Sequence, residues 1–455
     1  MERLTAQDLS MLWPDGFGWP QDIGALAFLQ ADGLLDADGR FRIEAVREAI
    51  AARLHLVPRF RQRLLSPSRG LGWPLWVDAD DFDIADHVHV VPGAATGGEA
   101  DLLLSVERLR RRRWDRSRPL WQMWFLPGLP DQRVGFYMRV HHAIADGAAA
   151  VATLCAFLDT VPDPPGPPGP PFVPAPVPSR RELFADNLRR RAGELGRAAA
   201  ALVRPVRTLR RLRAGWPAVR ETMASGRAPR SSLNRPIGTG RRFALVRSHL
   251  DPIRRIAHGS GATVNDVLMV AVAGGLRELL RNRGEPVDGL VLRAYVPVSL
   301  HEERPEQARG NRDGVMAVSL PLAVPDPAEQ LRLIAAETTE RKRLSRPPAG
   351  TLLRNGLAQR AFLRLMARQR WANVYVANVP GPPVPLYLAG APVRELFPVV
   401  PLIGNVTLGV GALSYAGQLN ITAVVDLDAG PDVAVFAGGV RHALRSLATA
   451  AQVAS

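Results

Sequence analysis

Two adjacent histidines followed by an aspartate and a glycine form the part of this sequence best suited to chemistry. They lie in the segment His141-His142-Ala143-Ile144-Ala145-Asp146-Gly147. An imidazole titrates near neutral pH, so it can take a proton from a hydroxyl or thiol group and return it later. One of these histidines can therefore serve as a general base.

The flanking residues predict a strand, a tight turn and a helix. The alternating apolar run 134–140 precedes the histidines, and small apolar residues follow them in a helix predicted over 148–158. Successive side chains of a strand point in opposite directions, so only one histidine can line a given cavity. Two histidines that merely cap the strand are the structural alternative. The following Asp-Gly pair and small-residue helix favour a functional role.

Other chemistries have less support in the sequence. His142 and Asp146 have the chemistry of metal ligands, but no third ligand follows at a recognisable spacing, and no metal or tightly bound cofactor is predicted. The Gly-x-Ser-x-Gly motif of serine hydrolases is absent, and no glycine loop precedes Lys342 as a P-loop requires. The single cysteine, Cys155, excludes an internal disulfide and is predicted to be a buried, inert thiol.

Length and charge narrow the class of protein. A chain of 455 residues is too long for one ordinary core, so two domains are expected. The formal net charge is +15, and Lys342 is the only lysine, so arginine supplies nearly all the positive charge. Such a balance favours anionic partners, among which phosphate esters, nucleic acid and lipid headgroups are the alternatives.

No membrane span or signal peptide is predicted. The first residues lack the apolar stretch of a signal peptide. The longest uncharged stretch, 396–425, has the length of a membrane helix but is interrupted by prolines, glycines and asparagines. It is better interpreted as two buried strands, 405–415 and 418–426, around a Tyr415-Ala416-Gly417 turn.

A proline-rich spacer and a basic helical region divide the chain. Ten prolines in 161–179 predict a stiff, extended segment. In the region 180–213, leucines recur every seven residues at positions 188, 195, 202 and 209, and Pro205 interrupts the helix. The favoured interpretation is a bridging helix that packs its leucines on the body and leaves its arginines in water. The alternative is a surface that lies on an anionic membrane or lipid droplet.

The predicted domains are 1–160, 161–240 and 241–455. Further helices are predicted over 43–56, 105–113, 267–281 and 328–344, and further strands over 243–250, 291–298 and 374–379.

The ordered set of motifs resembles the bacterial wax ester synthase/diacylglycerol acyltransferase family within the HHxxxDG acyltransferases. The histidine segment matches the HHxxxDG signature, and the chain start resembles that family's opening. Its other matching segments are Pro119-Leu120-Trp121, Thr263-Val264-Asn265-Asp266-Val267, Gly310-Asn311-Arg312-Asp313-Gly314 and Asn378-Val379-Pro380-Gly381-Pro382. The matches span residues 4 to about 440 in order.

The resemblance implies an α/β fold (an α+β sandwich) of two chloramphenicol-acetyltransferase-like domains, with the active site in a tunnel between them. It also implies site residues: His142 as general base, His141 as its support, and Asp146 as a structural residue paired with Arg59 or Arg61. Gly147 would permit the turn. Asn265 would lie across the tunnel. Two roles are equally favoured for it, namely stabilising the oxyanion and capping its helix. Pro119-Leu120-Trp121 could line the acyl channel, but a core role is favoured for its last two residues.

The implied activity is transfer of a long-chain acyl group from acyl-CoA to the hydroxyl of a fatty alcohol or diacylglycerol. Acyl-CoA would be a co-substrate, and no nucleic acid is expected as a partner. The expected location is the cytoplasm, in peripheral contact with a membrane or lipid droplet. One alternative is a condensation-type enzyme that uses carrier-protein thioesters. Another is a scaffold that binds lipid without catalysis.

Overall fold

The computed structural model describes residues 1–93, 97–145, 147–162, 169, 171–203, 226–299, 313–342 and 356–453. The described strands are β1 (Glu2–Arg3), β2 (Asp22–Gln30), β3 (Gln62–Leu65), β4 (Leu75–Asp78), β5 (Val88–Val90), β6 (Trp121–Leu129), β7 (Arg133–His141), β8 (Arg241–His249), β9 (Val291–Ser299), β10 (Asp313–Pro321), β11 (Val374–Pro380), β12 (Tyr387–Leu388), β13 (Ala391–Val399), β14 (Leu408–Tyr415) and β15 (Gln418–Asp426). The described helices are α1 (Ala6–Leu12), α2 (Ile43–Arg53), α3 (Glu99–Arg110), α4 (Gly147–Cys155), α5 (Arg180–Val203), α6 (Leu250–Gly259), α7 (Val264–Asn282), α8 (Pro327–Lys342), α9 (Gly356–Met366) and α10 (Val433–Val453).

The first large sheet carries the histidine strand near its centre. Its strand order is β12-β13-β2-β7-β6-β5, and all neighbours are antiparallel except β5 and β6. Two of its strands, β12 and β13, come from the last third of the chain. The predicted domain boundaries stay a prediction, but residues 1–160 alone do not build this sheet.

The second large sheet is built from the later part of the chain. Its order is β10-β9-β11-β14-β15-β8, with β11 parallel to both of its neighbours. A third, smaller sheet has the order β1-β4-β3 and is antiparallel throughout. The mixture of sheets and packed helices confirms the predicted α/β class.

Helix α7 is the central helix of the second half, and its sequence explains why. The segment is apolar on nearly every side, and its residues from Val267 to Ala273 are buried in the core. Two glycines permit a close approach to α10: a Cβ at Gly274 would come within 2.6 Å of the Ala443 Cβ, and one at Gly275 within 2.6 Å of Val440. The predicted helix over 267–281 is therefore confirmed, with one extra turn at its start.

The predicted strand pair in the uncharged stretch is also confirmed. β14 and β15 pair in register from Leu408↔Val425 to Tyr415↔Gln418. Ala416 and Gly417 form the turn, with φ of 44° and 82°. Two successive positive φ values are typical of the tight turn that matches the twist of a hairpin.

In the described part of the chain, no single helix is long and apolar enough to cross a membrane. Helices α6 and α7 satisfy that test of length and composition only as a pair bent by 105°.

The two large sheets share one apolar interface. From the first sheet come Leu26, Trp124 and Tyr137, and from the second come Leu245 and Val424. The ring centroids of Trp124 and Tyr137 lie 5.5 Å apart in a stacked arrangement. The two halves are therefore joined by packed side chains, and β13 from the later part of the chain completes the first sheet.

Helix α5 corrects the prediction for the basic region. The leucines predicted to pack on the body face outward instead: Leu188 is 59% and Leu195 is 72% exposed. The inward side is mostly polar, with Asp186 bonded to Arg3 at 2.5 Å. The leucine seam predicted to face the body is therefore wrong over the part of α5 whose side chains are described. Pro205 and Leu209 lie outside the described residues.

Candidate functional site

Backbone hydrogen bonds hold the two histidines at the end of β7. His141 pairs with Asp22 across the β2–β7 ladder, and its N–H donates to the Leu120 carbonyl at 3.0 Å. The N–H of His142 donates to the Gln21 carbonyl at 2.8 Å. Both backbones are therefore fixed by neighbouring segments, as the predicted strand and turn require.

The His141 imidazole is fully buried, and its contacts define its tautomer. The Ala143 N–H donates to Nδ1 at 3.0 Å, so Nδ1 carries a lone pair. The proton is therefore on Nε2, which donates to Oδ2 of Asp15 at 3.1 Å. With both nitrogens engaged and no exposed surface, this ring positions the turn and does not itself receive a substrate proton.

Asp15 is a site residue that the sequence analysis did not identify. It lies in a short 3₁₀ turn after α1, and its Oδ1 accepts the Gln21 N–H at 3.2 Å. Asp15 thus orients the His141 ring directly and, through the Gln21 backbone, the segment that holds His142. The one available signal was an acidic residue in a Trp-Pro-Asp-Gly turn, which is typical of turns in general.

The charge on Asp15 is stabilised in place. Burial alone raises the pKa of this carboxyl group, but hydrogen bonds from His141, the Gln21 N–H and Arg116 outweigh burial and hold the pKa below its ordinary value. Asp15 is therefore a carboxylate at neutral pH, which suits a group that accepts a hydrogen bond from the His141 ring.

A buried ion pair lies beside the His141 ring. Arg139, two residues before His141 on the same face of β7, lies 2.9 Å from Asp22, and both side chains are at most 2% exposed. Trp114 donates from Nε1 to Asp22 at 2.6 Å, and the Arg139 guanidinium lies 4.1 Å from the centroid of the Trp114 ring. The Trp114 ring meets His141 edge-on at 6.2 Å. The Arg139–Asp22 ion pair, the Trp114 ring and the His141 imidazole are thus packed against one another.

His142 differs from its neighbour because it is only half-buried. Its Nδ1 lies inside the protein, while the residue as a whole retains accessible surface. The predicted division of labour, in which one histidine faces a cavity and the other supports it, stays a prediction. The general-base role of His142 stays a prediction.

Two other predicted residues of the motif have different outcomes. Gly147 is the first residue of α4, where the chain leaves the turn. Asp146, with its pairing to Arg59 or Arg61, lies outside the described residues. Arg59 bonds to Glu2 and lies 4.7 Å from the Trp76 ring centroid.

Asn265 is the second residue of α7, in the other half of the molecule. Thr263 is the N-cap of that helix, and it forms a capping box with Asp266, in which each side chain bonds to the other residue's backbone N–H. The capping role weighed for Asn265 is therefore wrong, because Thr263 fills it. The oxyanion role stays a prediction, and no described hydrogen bond joins Asn265 to the histidine turn.

The Pro119-Leu120-Trp121 segment has the predicted core role. Trp121 is fully buried, stacks on Phe60 at 4.6 Å and on His87 at 4.5 Å, and donates from Nε1 to the Phe60 carbonyl. Burial lowers the pKa of His87 to about 4, so that this histidine is neutral and part of the core. Leu120 holds His141 through its carbonyl oxygen.

In the described residues, the later motifs lie in or next to strands β10 and β11. Helix α4, which follows the histidine turn, packs against β11, which carries the start of Asn378-Val379-Pro380-Gly381-Pro382. A Cβ at Gly381 would lie 2.3 Å from the Ser414 carbonyl oxygen, so only glycine fits there. Of the Gly310–Gly314 motif, residues 310–312 lie outside the described part, and Asp313 begins β10.

Cys155 is poorly suited to act as a nucleophile. Cys155 is half-buried, and burial raises the pKa of its thiol, which favours the protonated, unreactive form. Among the described residues, no group of three or more His, Cys, Asp or Glu side chains is arranged to hold a metal ion.

Two family models match the chain. The wax ester synthase/diacylglycerol acyltransferase catalytic domain matches residues 4–268, and the C-terminal domain of the same family matches residues 309–448. A Mycobacterium tuberculosis (strain H37Rv) protein named as a diacylglycerol O-acyltransferase is 33% identical over 470 residues, covering 99% of this chain and 98% of the relative.

Solved structures share the fold. The wax ester synthase/diacylglycerol acyltransferase from Marinobacter aquaeolei matches with a TM-score of 0.70 and 24% identity, covering 99% of this chain and all of that one. A trichothecene 15-O-acetyltransferase from Fusarium sporotrichioides matches with a TM-score of 0.62 and 12% identity, over 98% and 94% of the two chains. These likenesses concern the fold.

Proposed function

The chain belongs to the wax ester synthase/diacylglycerol acyltransferase family, and from this premise we propose that it transfers a long-chain acyl group from acyl-CoA to a lipid hydroxyl. The acceptor would be a fatty alcohol, a diacylglycerol or both, and the products a wax ester or a triacylglycerol. The observation that carries the proposal is the half-buried His142 beside a fully buried, fixed His141.

We propose that His142 is the general base. Its imidazole takes the proton of the acceptor hydroxyl as the oxygen attacks the thioester carbonyl carbon. The resulting tetrahedral oxyanion collapses, the C–S bond breaks, and the CoA sulfur receives the proton from the imidazolium. The ester and free CoA leave, and the histidine returns to its starting state. No covalent enzyme intermediate is needed, because the thioester is already activated.

Two features of the turn support this role. The backbone of His142 is held by Gln21, so the ring can be placed against a bound hydroxyl at little further entropic cost. His141 has both ring nitrogens engaged with the protein, so it cannot compete as the base. In this mechanism Asn265 remains a candidate for stabilising the oxyanion.

We further propose that the enzyme works in the cytoplasm at the surface of a membrane or lipid droplet. Both acceptor classes are lipids with very low solubility in water, so the hydroxyl is available mainly at such a surface. The net charge of +15 favours contact with anionic headgroups as well as with the phosphates of CoA.

Replacement of the proposed base tests the mechanism. His142→Ala should lower kcat for palmitoyl-CoA with hexadecanol or diacylglycerol by at least about a hundredfold, because one placed base contributes roughly 100- to 10,000-fold. Thiol release measures the rate, and chromatography of the products identifies wax ester or triacylglycerol.

The matched control is His258→Ala, which removes an exposed histidine at the end of α6. It should leave both rate and melting temperature unchanged. Retained activity in His142→Ala would contradict the general-base role. Lipid binding without CoA release by the wild type would favour the scaffold alternative, and activity only on carrier-protein thioesters would favour the condensation alternative.

A further inference from the structure

Helix α5 packs with its polar side toward the protein and its apolar side toward solvent. Phe184, Leu188 and Leu195 are 57%, 59% and 72% exposed. At 100° per residue these three positions fall within about 40° of one another, so they form one stripe along the helix. This arrangement is the reverse of that expected for a helix on the surface of a globular protein.

The inward side of α5 is held mainly by polar contacts. Asp186 bonds to Arg3 at 2.5 Å, and Asn187 donates to the Gly70 carbonyl at 2.7 Å. The Arg190 guanidinium lies 5.4 Å from the Trp73 ring centroid. The exposed apolar stripe is therefore not a consequence of a loosely attached helix, because specific bonds fix its orientation.

Leu183 is the one buried apolar residue among the described side chains of α5, and it connects the helix to the histidine turn. It packs on Leu75 and Val77 of β4. Trp76, which lies between them in sequence and points to the other face, packs in the cluster that contains Ala143 of the histidine turn. One small sheet thus separates α5 from the turn, at about 10 Å per packed layer.

Charge accompanies the apolar stripe. Arg180, Arg181, Arg189 and Arg191 are all exposed on α5, and the last of these lies about 20° from Phe184 on the helix surface. Val173, in the proline-rich segment before the helix, is 82% exposed. An apolar stripe bordered by arginines is the pattern of helices that lie in the interface of an anionic bilayer.

We propose that α5 is the element that docks this protein on a lipid surface with anionic headgroups. Phe184, Leu188 and Leu195 enter the boundary between headgroups and acyl chains, and the neighbouring arginines contact the phosphates. The docked helix then lies one small sheet away from the histidine turn, which brings the site close to the lipid surface. The docking itself does not depend on the catalytic proposal.

Sedimentation with vesicles tests the docking surface. The full chain should bind phosphatidylcholine vesicles containing phosphatidylglycerol more tightly than pure phosphatidylcholine vesicles, and high salt should weaken that binding. The combined variant Phe184→Ser, Leu188→Ser, Leu195→Ser should bind the anionic vesicles at least about tenfold more weakly, because three apolar side chains no longer leave water.

A matched variant removes three exposed apolar residues elsewhere: Leu56→Ser, Leu104→Ser, Leu365→Ser. It should bind the vesicles like the wild type. Equal binding by the α5 variant and the wild type, or equal loss in both variants, would overturn the proposal. So would a change in oligomeric state confined to the α5 variant without loss of vesicle binding, since the stripe would then contact a second copy of the chain.

The catalytic proposal is tested separately in the same samples. Acyl transfer from hexanoyl-CoA to butanol, measured without vesicles, should be the same in the α5 variant and the wild type. Loss of that reaction in the α5 variant would show that the substitutions disturb the body of the protein, and would also overturn a docking-only role.

Discussion

Two regions of this protein use polar contacts for opposite purposes. Around His141, half-buried Asp15 and buried Asp22 accept hydrogen bonds from surrounding donors and fix an imidazole inside the protein. Under α5, bonds through Asp186 and Asn187 hold a helix so that its apolar side meets solvent. The comparison shows that polar contacts can hold a reactive ring inside the protein or turn an apolar helix face toward solvent.

The largest change in the free energy of unfolding is expected from Asp22→Ala. It leaves Arg139 buried without a carboxylate, and breaking a buried ion pair typically costs about 3–5 kcal/mol. Urea unfolding should show this loss. The control is Asp38→Ala, since Asp38 and Arg40 are both at least 75% exposed and 3.9 Å apart, and the expected loss there is below about 1 kcal/mol. A loss below 1 kcal/mol in Asp22→Ala would show that the interior pair does not hold the site.

An intermediate effect is expected from Asp15→Asn. The variant should lose about 1.5–3 kcal/mol of stability at neutral pH, since hydrogen bonds to a charged group are lost. A looser histidine turn should also lower kcat by between about tenfold and a hundredfold. Asp288→Asn, at an exposed carboxylate, should change neither quantity.

The pH dependence of this variant gives a second check. Because the folded-state pKa of Asp15 lies below its ordinary value of 3.8, the carboxylate stabilises the fold above that pH. The contribution disappears as pH falls through the folded-state value. The stability difference between wild type and Asp15→Asn should therefore be constant from pH 7 down to about 5 and shrink below it. A difference that grows on acidification would contradict the assignment.

The smallest effect is expected on the outward side of α5. Leu195→Ala should change the free energy of unfolding by no more than about 0.5 kcal/mol, as surface substitutions usually do. Leu183→Ala, one turn from the start of the same helix but buried, should cost about 2–5 kcal/mol and serves as the contrast. A loss above 1.5 kcal/mol for Leu195→Ala would show that the stripe is packed against the protein.

Local patterns predicted much of the fold. The strand before the histidines, the hairpin around Ala416 and the buried helix after Thr263 follow from periodicity and turn chemistry within a few residues. Strand geometry also predicted that His141 and His142 differ in direction, and the two residues do differ in exposure. These features depend on neighbours in the chain, which is why a single sequence contains them.

What could not be predicted depends on contacts between distant segments. Asp15 lies 126 positions from the ring it orients, and nothing local marks it as different from any turn aspartate. The outward direction of α5 depends on the polar groups that Arg3 and Gly70 offer to it, so the leucine spacing alone predicted the wrong side. The capping residue of α7 could have been found, since Thr263 and Asp266 have the spacing of a capping box.

The late strand β13 has a consequence for synthesis of the chain on the ribosome. Its partner β2 ends at Gln30, whereas β13 begins at Ala391. At 5–20 residues per second, the ribosome needs roughly 20–70 s to add the intervening segment. Until then the edge of β2 has unpaired N–H and C=O groups that invite association with other nascent chains. The growing chain therefore exposes this edge during most of its synthesis, and chaperone protection in that interval should raise the yield of folded protein.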